Sequence, residues 1–163
     1  MIENFISKLL VLLLFSYVTG VNAQNFIVVE PEAGSKATIS VNEKTVSFTV
    51  NSAKGIQEES FLVETEKSIH VSVGDYDFDG KKEFSVWYMD DGHGTYTLHR
   101  IFLFSPGIKK FIEIHPQCGD EFINLKVNRR KKNLTSTYFE NNIAKLCVTF
   151  PRNCALQGKK VNH

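Results

Sequence analysis

Asp75-Tyr76-Asp77-Phe78-Asp79-Gly80-Lys81-Lys82-Glu83-Phe84 sets three carboxylates in alternation with aromatic residues, then a glycine, then a fourth carboxylate. Three Asp residues on one face of a plain strand repel one another, and Asp disfavours strand geometry. A hard cation resolves that conflict, since Ca²⁺ takes about six to eight oxygens from carboxylates and backbone carbonyls. Gly80 permits the sharp turn that aims the three side chains inward. The spacing assigns Asp75, Asp77, Asp79, the Lys81 carbonyl and Glu83 as ligands of one Ca²⁺. A solvated acidic turn explains the glycine but not the alternation.

The loop is not an EF-hand, which needs an acidic twelfth residue, here Val86, and a helix on either side. Its flanks, Ile69-His70-Val71-Ser72-Val73 and Phe84-Ser85-Val86-Trp87-Tyr88, alternate with period two and read as strands. The same period recurs at Val46–Val50 and Ile123–Val127, while Phe84–Met89 and Tyr96–Phe104 are apolar on both faces, as central strands are. Turn signals fall at Asn42-Glu43, Asn51-Ser52, Asp91–Gly94, Ser105-Pro106-Gly107 and Asn141-Asn142. The expectation is an all-β domain of about ten short antiparallel strands, with sandwich, barrel and small propeller all compatible.

The apolar run Leu9–Val18, followed by Val21-Asn22-Ala23, reads as a signal peptide over residues 1–23, too short to span a bilayer. Residues 24–163 then form one exported domain, periplasmic or secreted, with no stable membrane anchor and a monomeric state expected. Ten acidic residues lie between Glu58 and Asp91, and nine basic ones between Lys126 and Lys160. An exported protein has little call to bind nucleic acid, so the basic end suits an acidic protein or an anionic polymer; Arg129-Arg130-Lys131-Lys132 as a solvated hairpin turn serves equally well. Export also makes a disulfide plausible among Cys118, Cys147 and Cys154. A chain turned back by Pro151-Arg152-Asn153 favours Cys147–Cys154, and a simple meander would set Cys118 at the far end of the sheet.

The sequence carries no nucleophile elbow, zinc-ligand spacing or phosphate loop. His93 beside Asp90 and Asp91 is the one His–carboxylate grouping, but adjacent residues at a hairpin tip point apart. The chain therefore reads as a binding protein and not an enzyme. The candidate contact residues are Tyr76, Asp91, His93 and Tyr96, with Arg129 and Arg130 on the basic turn. Core packing is the alternative for the two tyrosines.

The Asp-x-Asp-x-Asp-Gly-x-x-Glu-Phe loop between strands resembles the calcium loop of FG-GAP (integrin-type) repeats. From Val73 to Phe150 the order of elements is similar to a family of periplasmic bacterial immunity proteins, related to the Xanthomonas inhibitor of a type IV-secreted lysozyme-like toxin. That order is the calcium loop, the strand from Phe84, the Gly-rich tip Asp91-Gly92-His93-Gly94, then Tyr96 and Ile101–Pro106. The resemblance implies a small β-propeller-like domain that binds Ca²⁺ and inhibits a peptidoglycan-degrading hydrolase. The FG-GAP likeness implies instead an envelope glycan- or adhesion-binding module.

Overall fold

The computed structural model describes residues 26–152. The expected leader and Cys154 lie outside the described residues. Eleven antiparallel strands form two sheets. The first is a meander of β1 (Phe26–Glu32), β2 (Ser35–Asn42), β3 (Thr45–Ser52) and β4 (Gly55–Leu62). The second contains β5 (His70–Gly74), β6 (Glu83–Met89), β7 (Thr97–Ser105), β8 (Lys110–Ile114), β9 (Phe122–Asn128), β10 (Asn133–Glu140) and β11 (Ile143–Thr149). Its order is β11-β10-β9-β7-β6-β5, with β8 also on β7. One edge of β7 is thus shared. Its start, Leu98 and His99, pairs with β9, and its end, Ile101 to Ser105, pairs with β8.

The turn chemistry follows the sequence. Asn141 and Asn142 both adopt positive φ, at 51° and 61°, in the two-residue link between β10 and β11. Asn is among the few residues that take this conformation cheaply, and it matches the twist of a tight hairpin. Asn124, at φ 52°, marks a bulge in β9: β9 advances three residues, Ile123 to Lys126, while β10 advances two, Thr137 to Thr135.

As expected of central strands, β6 and β7 are buried on both faces, and period two divides their side chains between two cores. Phe84, Val86, Phe102 and Phe104 join Phe111 of β8 against Val29, Ala37, Ile39, Val46, Phe48 and Val50 of the first sheet. Phe48 sits edge-on to Phe84, Phe102 and Phe111, with centroids 5.3 to 6.1 Å apart. Burying each such side chain contributes about 1.5–3 kcal/mol, so this layer dominates stability. On the opposite face Ile101 and Leu103 pack with Tyr76, Ile114, Phe122 and Leu134. Tyr76 follows β5 and Leu134 belongs to β10, so their meeting requires the second sheet to curl into a half-barrel. Two sheets sharing one core, rather than blades set radially, correspond to the sandwich alternative.

Polar side chains tie the layers together. Gln57 of β4 is buried and pairs with the backbone of Phe111 in β8, donating to its carbonyl at 3.1 Å and accepting from its N–H at 2.9 Å. The Arg100 guanidinium lies 3.8 Å over the Phe61 ring and donates twice to Glu113, each bond 2.7 Å. These contacts join β4 to β7 and β8.

The disulfide joins Cys118 to Cys147, with Cα atoms 5.7 Å apart, so Cys147 does not pair with Cys154. The expectation failed because the sheet curls. The segment after β8 crosses towards β11, where Gln117 N–H donates to Thr149 Oγ1 at 3.0 Å. Cys118 therefore meets a buried Cys147 that a flat meander would have kept distant.

Candidate metal centre

β5 and β6 are paired up to Gly74↔Glu83, and residues 75–82 make the connection. Tyr76 and Phe78 turn into the second core, which holds the intervening Asp residues at the outer side of the loop. Phe78 at φ 64° and Gly80 at φ 89° make the two left-handed bends. Glycine takes that conformation without strain, and Phe78 takes it at a cost that its packing offsets. Asp carboxylates cap the loop amides. Asp75 accepts from Asp79 N–H and Gly80 N–H, both at 3.1 Å, Asp77 from Asp79 N–H at 2.9 Å, and Asp79 from Lys81 N–H at 2.8 Å.

One carboxylate oxygen from each of Asp75, Asp77 and Glu83 falls within 4.8 Å of the others. Oxygens on opposite sides of a Ca²⁺ ion lie about 4.6–5.2 Å apart, so this triad could hold such an ion. Of the other two expected ligands, Asp79 turns its carboxylate to Lys81 Nζ at 2.5 Å, and the triad forms without them.

Glu83 is fully buried and accepts from Tyr76 N–H at 2.7 Å, Asp77 N–H at 3.2 Å and Phe104 N–H at 3.3 Å. Burial, and then the Asp77 charge, push its pKa up to about 8 against those three hydrogen bonds. Burial and the neighbouring Asp79 push Asp77 up to about 6. Burial also raises Asp79, but hydrogen bonds and charge from Lys81 outweigh it and hold that carboxyl below its ordinary value. Two converging carboxylates that resist ionisation are what a bound cation relieves, because its charge favours the deprotonated forms.

Arg152, which follows β11, donates to the carbonyls of Asp77 at 3.1 Å and Phe78 at 2.8 Å. It fixes the loop from a position about 75 residues away in the chain, and no local pattern announced it.

The proposed contact residues separate. Tyr76 is buried, its hydroxyl 2.8 Å from Ser85 Oγ, so it is a core residue and not a surface contact. Asp91 accepts from Thr65 Oγ1 at 2.9 Å and Glu66 N–H at 2.8 Å, and so ties its loop to the segment joining the two sheets. His93 is exposed on the same loop. Asp90 closes that loop by accepting from Tyr96 N–H at 2.6 Å. Tyr96 is exposed and rests edge-on against Phe139, centroids 5.7 Å apart. Arg129 and Arg130 are exposed on the turn between β9 and β10, as the solvated-hairpin reading expects. His70, Trp87 and His99 form a row of rings across β5, β6 and β7, and burial pushes the His99 imidazole down to about 4.

Neither a family model, a curated protein nor a solved structure matches the chain.

Proposed function

We propose that this protein is an exported Ca²⁺-binding protein that acts by binding rather than by catalysis, and that its partner is a peptidoglycan-degrading, lysozyme-like hydrolase, which it inhibits as an immunity protein. The observation that carries the metal part is the convergence of Asp75, Asp77 and Glu83 within 4.8 Å in a loop between two strands. Oxygen-only donors favour a hard cation over zinc, which prefers nitrogen and sulfur in structural sites. Ca²⁺ then has a structural role, fixing the loop beside the second core. The partner part rests on the resemblance of residues 73–150 to the periplasmic immunity family and on the leader that directs the chain to where peptidoglycan is exposed.

The test is inhibition. Purified mature protein is titrated against the peptidoglycan hydrolase encoded beside its gene, and dose-dependent loss of hydrolase activity is expected. Clearing of a peptidoglycan zymogram by the protein itself would sink the binding role. Binding on an envelope glycan array without inhibition of the hydrolase would transfer the protein to the FG-GAP-type alternative.

A further inference from the structure

The open strand edges, β1 and β4 in the first sheet and β5, β8 and β11 in the second, are not alike. β1 carries Pro31 and a register shift between Val29 and Glu32. β4 carries Glu58 and Glu59, and β5 and β8 are each only five residues long. Proline, bulges, charges and short length are the ordinary means of protecting an edge from further pairing. β11, Ile-Ala-Lys-Leu-Cys-Val-Thr, has none of these beyond Lys145, which is engaged with Glu140.

β11 also exposes large apolar side chains, Ile143, Leu146 and Val148. Leu134, Ser136, Cys147 and Thr149 face inward and are buried, so the alternate residues of β10 and β11 face out. There Leu146 is 71 % exposed, with Phe139 and Val148 on the same face and Tyr96 against Phe139. A groove of about 420 Å³ runs between Leu146, Thr137, Thr135, Lys126 and Thr97. At one end of β10 lies the Tyr96–Phe139 pair and at the other the basic turn, roughly 20 Å apart at strand rise. Lys126, Arg129, Arg130, Lys131 and Lys132 make no ion pair among the described residues.

We infer that the outer face of β9–β11 is a docking surface that takes an extended acidic segment of a protein partner, added as a further strand along β11. β11 has no second strand neighbour among the described residues, so its outer backbone groups supply the pairing, and Leu146, Val148 and Phe139 receive alternate apolar side chains. The uncompensated basic turn selects acidic residues and steers their approach. The Cys118–Cys147 disulfide holds β11 in place, so docking pays little ordering cost. A second copy of the chain would bring a like-charged basic rim to the same face. The partner's identity as a hydrolase rests on the proposed function; the surface does not.

The probe is an octapeptide alternating glutamate and valine, titrated into the full protein and followed by backbone amide shifts. Saturable binding is expected, with shifts confined to β9–β11 and weakening as salt rises. Leu146→Glu should reduce affinity by at least tenfold, and Ile56→Glu, at a residue 63 % exposed on β4, should leave it unchanged. An unchanged melting temperature shows that both variants fold. Failure of the octapeptide to bind, or equal binding by Leu146→Glu, overturns the proposal. So does a concentration-dependent dimer abolished by Leu146→Glu, which gives the face to a second copy. Preference for phosphatidylglycerol vesicles over the peptide overturns it in favour of a lipid surface. If the peptide binds but no hydrolase is inhibited, the surface stands and the inhibitor role falls. If wild type and Leu146→Glu inhibit the hydrolase equally, the inhibitor role stands and the hydrolase does not dock on this face.

Discussion

The two cores are built on opposite faces of the same strands, and they differ in kind. The core between the sheets is built of apolar side chains centred on Phe48 and the rings around it, with Gln57 as a fully bonded polar tie. The core inside the half-barrel contains the Tyr76 hydroxyl, with the Glu83 carboxylate and Ser85 beside it. Buried Ser136 Oγ on the same face of β10 as Leu134 finds no partner among the described residues. A largely apolar core is held together chiefly by burial. A mixed core needs added constraints, and this one has a disulfide, an arginine latch and a candidate cation site.

That contrast can be broken most readily in the first core. Phe48→Ala should cost about 3–5 kcal/mol in denaturant unfolding and leave the response to calcium intact. A smaller loss at Phe48 than at any residue of the second core would invert the comparison.

In the second core, replacing both Cys118 and Cys147 by Ala should cost about 3–4 kcal/mol, as expected for a bridge across a loop of this size. Reducing agent should reproduce that loss in the wild type and do nothing further to the double variant.

Calcium at a hundredfold excess over its dissociation constant should add about 2.7 kcal/mol to unfolding stability. Asp77→Ala and Glu83→Gln should abolish that gain. Identical calorimetric melts in chelator and in calcium would remove the metal centre.

The response should also depend on pH, with a definite sign. Glu83 and Asp77 have folded pKa values of about 8 and about 6, above the ordinary carboxylate range. Between that range and about 8, the folded protein holds protons that the unfolded chain releases, so metal-free stability falls as pH rises. Calcium needs the deprotonated carboxylates, so its stabilising effect should grow across the same window. Unfolding curves between pH 5 and 8.5 with and without chelator would check both slopes, and parallel curves would contradict them.

The smallest effect belongs to the latch. Arg152→Ala removes two exposed hydrogen bonds to loop carbonyls and should cost about 1 kcal/mol or less. It should weaken calcium binding, measured by titration calorimetry, less than Asp77→Ala does.

The apolar face of each central strand was legible because period two survives wherever one side meets a core. Val46, Phe48 and Val50 were read that way and are fully buried. β4 was not legible. Its one fully enclosed position is Gln57, whose amide bonds the Phe111 backbone in a place where a sequence pattern expects an aliphatic residue. The geometry of the acidic loop was legible because alternating Asp and aromatic residues encode both its outer and its inner side within ten residues. The choice of disulfide partner, the burial of Tyr76 and the reach of Arg152 were not. Each depends on the curl of the second sheet, which joins residues far apart in the chain, and no local period records that.

The divided edge of β7 also shapes how the chain can assemble. Apart from β7–β9, every strand pairing joins neighbours in sequence. Hairpins of that kind close short loops and need little search, and such local topologies fold quickly. The junction of β7 with β9 instead spans the whole of β8, and only two residue pairs, Leu98↔Ile123 and His99↔Phe122, register it. Three meanders can therefore form early and independently, while the seam that turns them into one molecule closes late. Cys118 lies between β8 and β9, just ahead of that seam, and its bond to β11 makes the closure hard to reverse.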